Sequence, residues 1–178
     1  MSWDTVFEPD LTIDERRYII DASAWAQRRA RPLPAVIVHI GVGRGASLHC
    51  SQHGAPEAKL YGVDVIGAME LVMPCDATII TGVSQVAHQQ FDQEIDLLVI
   101  DGDHSFYGVL GDVLGWCPLV RTGGVVIFHD YGNGRRCPWT AGVGQAVDSL
   151  GWGGWRRVAA PDSLAAFEKV GEDAQAGR

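Results

Sequence analysis

Two apolar runs that each end in a cluster of acids and histidines constrain this chain more than any other feature. The segment IDLLVIDGDHSFY covers residues 95–107, and GGVVIFHDY covers residues 123–131. A short apolar run bounded by polar residues is typical of a buried parallel strand. Ligands bind beyond the carboxyl ends of such strands, so the polar side chains should meet at one rim of a sheet. They are Asp101, Asp103, His104, His129 and Asp130.

The rest of the chain alternates between strand-like and helix-like segments. Thr12 and Glu15 form a capping-box pattern that begins a helix reaching about Arg29. Apolar runs predict strands at Ala35–Ile40, Leu60–Val65, Ala77–Thr81, Ile95–Ile100, Gly124–His129, Trp155–Ala159 and Leu164–Val170. Further helices are expected from Ala46, near residues 86–91, over 106–118 and over 141–150. The alternation predicts one α/β domain over residues 1–178, with a core at 35–170 and an N-terminal cap region at 1–31.

Composition narrows the class of partner and the cellular compartment. The chain of 178 residues has a net charge of −8 and no basic stripe, which argues against nucleic acid or an anionic membrane as partner. Its four cysteines, Cys50, Cys75, Cys117 and Cys137, show no metal-ligand spacing, which favours reduced thiols. The N-terminal segment lacks signal-peptide features, and no apolar run reaches membrane-spanning length. We therefore expect a cytoplasmic protein that binds small molecules.

A glycine-rich turn follows the first predicted strand and opens a helix. Gly41, Gly43 and Gly45 would let the backbone approach a ligand, and the helix N-terminus would attract an anion. The spacing is GxGxG rather than the GxGxxG of dinucleotide-binding proteins. Ser47 in the first helical turn would either donate its hydroxyl to a carboxylate or cap the helix. A tight turn that binds no ligand is the alternative.

Polar residues also follow the second and third predicted strands. Asp64 ends the second strand about twenty residues beyond the glycines, where an acid binds both hydroxyls of a ribose in many nucleotide-binding folds. Ser84 and Gln85 follow the third strand and are suited to the edge of an adenine ring. A solvated loop acid and ordinary turn residues are the alternatives.

These segments together resemble the class I S-adenosylmethionine-dependent methyltransferases over roughly residues 35–170. The similar motifs are HIGVGRGASL, YGVDV, TGVSQ, IDLLVIDGDHSFYGV and GGVVIFHDY. The last two are most similar to macrolide-sugar O-methyltransferases and cephalosporin-biosynthesis proteins, with a looser likeness to catechol and caffeoyl-CoA O-methyltransferases. The resemblance implies a Rossmann-like sheet of seven strands, mostly parallel with an antiparallel last strand, and helices on both faces. It also implies S-adenosyl-L-methionine as methyl donor.

The resemblance also assigns roles to residues at the chemical end. Asp101, His129 and Asp130 match the ligands of a divalent metal, Mg²⁺ or Mn²⁺, in the metal-dependent O-methyltransferases, although His129 departs from the usual acid or amide. His104 matches the general base, and Asp103 would face the cofactor or orient His104. His39 stands where the family usually has an acid that orders the glycine loop and the amino group of the cofactor.

The sequence leaves the acceptor and several alternatives open. The loop over residues 132–139 would cover the acceptor, with Arg135 and Arg136 as anion ligands or a solvated turn, and Trp139 against an acceptor ring. A sugar or another secondary metabolite is expected only from the subgroup resemblance, and a homodimer would complete an open site. The alternatives are an NAD(P)-dependent oxidoreductase, a metal-dependent hydrolase and a non-catalytic cofactor-binding protein.

Overall fold

The structure, a computed structural model, describes residues 11–65 and 76–171 and contains one seven-stranded sheet within them. The expectations for residues 1–10 and for Cys75 lie outside these residues, whereas Cys50, Cys117 and Cys137 are free thiols. The strands are β1 (Val36–Ile40), β2 (Lys59–Asp64), β3 (Ala77–Thr81), β4 (Ile95–Ile100), β5 (Val120–Phe128), β6 (Trp155–Val158) and β7 (Ala165–Lys169).

The strand order is β3-β2-β1-β4-β5-β7-β6. The first five strands pair in parallel. β7 inserts between β5 and β6 and runs antiparallel to both. The predicted fold class, mostly parallel with an antiparallel last strand, is therefore confirmed. The order reverses between β1 and β4, and the crevice at such a switch point is where ligands bind in open α/β sheets.

Helices cover both faces of the sheet. They are α1 (Ile13–Ala30), α2 (Ala46–Gly54), α3 (Ser84–Ala87), α4 (Phe106–Trp116) and α5 (Ala141–Ser149). Side chains alternate along the strands, so Ile37 and Leu97 pack under α1 and α2 while Val38 and Leu98 pack under α4 and α5. No helix in the two described ranges has both the length and the apolar character needed to cross a membrane.

Most elements lie within two residues of their predicted bounds, and two differ by more. β5 begins at Val120, four residues before its predicted start, because Val120 pairs with Ile95 ahead of a shift in register. The predicted helix near residues 86–91 is instead the four-residue α3 followed by a 3-10 turn over residues 88–90. The capping box at Thr12 and Glu15 is present as predicted, since each side chain accepts a backbone N–H of the other residue.

A carboxyl group is buried between α3 and α4. Asp112 Oδ1 accepts hydrogen bonds from Ser84 Oγ at 2.5 Å and Gln85 Nε2 at 3.0 Å, while its Oδ2 has no hydrogen-bond partner. Burial raises the pKa of Asp112 to about 6, opposed by the bond from Ser84. The ionised form is therefore unfavourable in the folded protein.

Asp112→Asn should stabilise the protein at neutral pH. The folded pKa lies above the unfolded value, so wild-type stability falls as the pH rises from about 4 to about 6 and stays lower above that range. The amide keeps an acceptor for Ser84 and carries no charge, so we expect a gain of about 1–3 kcal/mol at pH 8 and little gain at pH 4. Urea unfolding at the two pH values measures this. The exposed Asp148→Asn serves as control, and an equal gain at both pH values would contradict the explanation.

Candidate functional site

A cleft of about 700 Å³ opens at the carboxyl ends of the parallel strands. Its walls are the glycine loop, the start of α1, the ends of β4 and β5, the loop over residues 132–140 and the turn before β7. Seven of the predicted cofactor-binding, metal-binding and catalytic residues line it: Gly41, Gly43, Ser47, Asp101, His104, His129 and Asp130. The predicted rim therefore brings the glycine loop and the acid–histidine cluster into one cavity.

The glycine loop adopts positive φ angles that residues with a side chain rarely adopt. Gly41, Gly43 and Gly45 have φ values of +80°, +50° and +93°. A Cβ added at Gly41 would lie 2.1 Å from the backbone carbonyl oxygen of Asp101, whereas one at Gly43 would meet nothing within 4 Å. Gly41 is thus needed for contact between neighbouring strand ends, and Gly43 leaves space beside the cleft.

Asp64 ties the glycine loop to the end of β2. Its Oδ2 accepts from the backbone N–H of Val42 at 2.8 Å and of Gly43 at 3.0 Å. The acid therefore holds the loop in place from the neighbouring strand. Its position at the end of β2 is the one expected for a ribose ligand, although Asp64 is not among the residues that line the cleft.

His39 lies behind the loop rather than on the cleft. It lies two residues after Ile37 and so on the same face of β1, where its ring is fully buried under α2. Nδ1 lies 3.0 Å from Ser47 Oγ, and Nε2 lies 2.9 Å from Ser51 Oγ. Burial lowers the pKa of His39 to about 3, so the ring is neutral. The structure gives it a contact to Ser47 and no direct contact with the cavity.

Four side chains converge at the ends of β4 and β5: Asp101, His104, His129 and Asp130. Each offers a possible metal-binding atom, and these atoms lie within 4.8 Å of one another. His129 Nδ1 is 3.0 Å from Asp101 Oδ1, and His104 Nε2 is 3.2 Å from Asp130 Oδ2. Hydrogen bonds that His104 donates to Asp101 and Asp130 raise its pKa to about 9. For His129, burial opposes protonation, but its hydrogen bond to Asp101 and its ion pair with Glu15 raise the pKa to about 10.

Glu15 is a buried member of this site that sequence reasoning missed. Its Oε1 accepts from Ser163 Oγ at 2.6 Å, and its Oε2 lies 3.6 Å from His129 Nε2. Burial would raise the pKa of Glu15, but the ion pair with His129 and the hydrogen bonds from Ser163 and Thr12 lower it to about 2. The capping box had already accounted for Glu15, and no local pattern indicated that α1 reaches the ends of β4 and β5.

A methyltransferase-domain family model matches residues 38–131, which is more than half of the chain. The chain belongs to this family. The match begins in β1 and ends just after Asp130, so it spans both the glycine loop and the acid–histidine cluster. No curated protein sequence matches the chain.

Solved structures of methyltransferases share the fold of this methyltransferase domain. MycE, from the mycinamycin biosynthetic pathway and in complex with Mg, SAH and mycinamycin VI, has a TM-score of 0.72 and 18% identity over 98% of this chain and 55% of that chain. SAH-bound PaMTH1 from Podospora anserina has a TM-score of 0.65 and 16% identity, covering 86% and 77%. The O-methyltransferase NovP has a TM-score of 0.65 and 14% identity, covering 89% and 80%. This chain spans little more than half the length of the two similar MycE chains.

Besides His39 and Asp64, three more of the expected site residues of the methyltransferase domain form hydrogen bonds within the chain instead of lining the cleft. Ser84 and Gln85 contact Asp112 on α4. Asp103 is exposed and accepts from the backbone N–H and the hydroxyl of Ser105 at the start of α4. The polar turn residues thus fix the ends of short helices, which is the alternative that local sequence also allowed.

The loop after β5 forms the outer wall of the cleft. Arg136 and the exposed Trp139 line it, and Asn133 Nδ2 donates to Asp130 Oδ1 at 2.9 Å. Expectations for the side chain of Arg135 lie outside the described residues. The loop is therefore anchored to the acid–histidine cluster while its tip faces solvent.

Replacing Gly41 should cost far more stability than replacing Gly43. Gly41→Ala places a methyl group against the Asp101 carbonyl, and the left-handed backbone adds strain, so we expect a loss of about 3 kcal/mol or more. Gly43→Ala adds only backbone strain and should cost about 1–2 kcal/mol. Urea unfolding of both variants gives the comparison. Equal losses would show that the close approach to Asp101 does not constrain the loop.

Proposed function

We propose that this methyltransferase domain transfers a methyl group from S-adenosyl-L-methionine to an oxygen of a small-molecule acceptor, assisted by a divalent metal. The observation that carries the proposal is the shared cleft: a glycine loop suited to a nucleotide-like ligand faces an acid–histidine cluster suited to a metal and an oxygen nucleophile. The donor's sulfur–methyl bond breaks, an oxygen–methyl bond forms, and the acceptor hydroxyl loses its proton.

We assign binding of the methyl donor to the glycine loop and α2. The bends at Gly41 and Gly43 bring backbone close to the cavity, and α2 begins after Gly45 without a side-chain cap. A cavity of this volume is in the usual range for a bound small molecule. Asp64 is assigned a double role, since it orders the loop and stands at the β2 end where a ribose acid belongs.

We assign metal binding to Asp101, His129 and Asp130. Two carboxylates and an imidazole suit Mg²⁺ and still better Mn²⁺. The fit is supported by His129 Nε2, a buried atom with no hydrogen bond that faces Glu15 Oε2 at 3.6 Å. With Nδ1 turned toward Asp101, Nε2–H would be held by Glu15, and such a carboxylate fixes the orientation of a ligating imidazole. A metal bound here would lower the pKa of the acceptor hydroxyl and hold its oxygen in place.

We assign to His104 the role of accepting the proton of the acceptor hydroxyl. Its ring lines the cleft, and Nε2 lies between Asp101 Oδ1 at 3.4 Å and Asp130 Oδ2 at 3.2 Å. The same carboxylates raise the pKa of His104 to about 9, so without a metal the ring is protonated at neutral pH. A bound metal would draw on both carboxylates and lower that pKa, which would leave the ring neutral and able to accept the proton. The remaining requirement of methyl transfer is an in-line approach, which the rigid strand ends provide by fixing acceptor and donor in one cavity.

The acceptor is proposed to be a sugar or another secondary metabolite held by the loop after β5. Arg136 offers a cation and Trp139 a flat apolar surface at the open side of the cleft. A homodimer that closes this side and a cytoplasmic location remain predictions. Family membership favours methyl transfer over an oxidoreductase or a hydrolase, and turnover would exclude a non-catalytic binding protein.

Asp64→Ala should weaken binding of S-adenosylhomocysteine about tenfold or more, because two loop N–H groups lose their acceptor along with the proposed ribose contact. Isothermal titration calorimetry with S-adenosylhomocysteine, and with NAD as a competing candidate, measures it. Asp92→Ala, an exposed acid elsewhere, is the matched control. Binding of NAD alone, or no binding of either compound, would contradict the proposed donor.

Asp130→Asn should remove most metal binding without unfolding the protein. At a hundredfold excess over its Kd, Mn²⁺ should stabilise the wild type by about 2.7 kcal/mol, and this gain should largely disappear in the variant. Thermal unfolding with and without Mn²⁺, together with electron paramagnetic resonance of free Mn²⁺, reports binding independently of turnover. Asp103→Asn is the control, because Asp103 is exposed and bonds only locally. Equal stabilisation of all three proteins would place the metal elsewhere.

A further inference from the structure

A line of four buried polar side chains runs from α1 to the cleft. Ser23 Oγ lies 2.7 Å from the backbone carbonyl oxygen of Ile19 and 2.9 Å from Ser51 Oγ. His39 then bridges Ser51 at 2.9 Å and Ser47 at 3.0 Å. Ser23, Ser51 and His39 are fully buried, and Ser47 at the end of the line is among the cleft residues.

Each hydroxyl has one hydrogen to donate, and this determines which group is the donor in every hydrogen bond of this line. A carbonyl oxygen only accepts, so the single hydroxyl hydrogen of Ser23 is used on Ile19. Ser51 must therefore donate to Ser23, which leaves Ser51 as an acceptor toward the ring. His39 must then carry its hydrogen on Nε2 and donate it to Ser51.

The other ring nitrogen, Nδ1, determines where the hydroxyl hydrogen of Ser47 points. Burial keeps His39 neutral, so Nδ1 has no hydrogen and accepts. Its partner at 3.0 Å is the hydroxyl of Ser47, which must donate. The hydrogen of Ser47 thus points inward, and only its oxygen lone pairs remain for the cleft.

We propose that Ser23, Ser51 and His39 are positioning residues that hold Ser47 as a hydrogen-bond acceptor, and that Ser47 accepts from the ammonium group of the donor's amino-acid end. This inference rests on the proposed function and assigns one contact within it. Only a hydrogen-bond donor can bind the lone pairs of Ser47, and of the two charged groups at the amino-acid end of the methyl donor only the ammonium donates. It reverses the expectation that Ser47 donates to a carboxylate, since that hydrogen is already in use.

The hydrogen-bond direction is measured directly on the ligand-free protein. Long-range ¹H–¹⁵N correlation spectra of the histidine rings distinguish the two tautomers. We expect His39 to be neutral with its hydrogen on Nε2 in the wild type. In Ser51→Ala the Nε2–H group would lose its acceptor, so the hydrogen should move to Nδ1 and Ser47 should turn its own hydrogen to the cleft. A wild-type ring with its hydrogen on Nδ1 would overturn the proposal, whether or not the variants fold.

The ligand contact is measured as a preference between two compounds. These are S-adenosylhomocysteine and its deaminated analogue, in which hydrogen replaces the ammonium group and the carboxylate is kept. By calorimetry, the wild type should bind the first about tenfold or more tightly than the second, as for a hydrogen bond to a charged group. The preference should shrink to about threefold or less in Ser51→Ala.

Ser149→Ala is the matched control for this preference. Like Ser23, it donates its hydroxyl hydrogen to a helix carbonyl, that of Ala146, and it lies on α5 away from the line. A general loss of packing would weaken both compounds equally and leave the preference unchanged. An unchanged preference in Ser51→Ala would therefore overturn the acceptor role of Ser47. No wild-type binding of S-adenosylhomocysteine would overturn the proposed donor and the ligand of Ser47, while the tautomer would still test the hydrogen-bond line.

Discussion

Backbone pairing continues one residue beyond the ends of the central strands, and the site depends on this extension. Gly41 N–H donates to the Val63 carbonyl at 2.9 Å, Asp101 N–H to that of Ile40 at 2.8 Å, and His129 N–H to that of Ile100 at 3.0 Å. These bonds place the glycine loop and the acid–histidine cluster side by side. Their relative position is therefore set by the sheet rather than by flexible loops, which is the precision that group transfer demands.

Much of the fold could be predicted from sequence because its signals are local. Parallel strands in this sheet are apolar runs, so the bounds predicted for the buried strand Ile95–Ile100 and the edge strand Ala77–Thr81 agree with the structure. The meeting of Asp101 with His129 followed from one general rule about strand ends. The early start of β5 could not be foreseen, since it depends on pairing of Val120 with Ile95 across a register shift.

The direction of polar side chains is what sequence could not supply. Ser84 and Gln85 follow a strand and suit a ligand, yet Asp112 on α4 is their partner in the fold. His39 occupies a motif position, but strand alternation turns it under α2. Each outcome depends on which helix packs on which face, and that information is distributed over the whole chain.

The bonds of Glu15 have a consequence for how the protein is made. Its carboxylate reaches Ser163, 148 residues later in the chain, while contacting His129 between them. Contacts of such separation are slow to form because a large loop must close first. During synthesis on the ribosome, Glu15 therefore stays without its Ser163 partner until the hairpin of β6 and β7 has emerged. A nascent chain stalled before that hairpin would present a carboxylate and an imidazole without the serine that secures them.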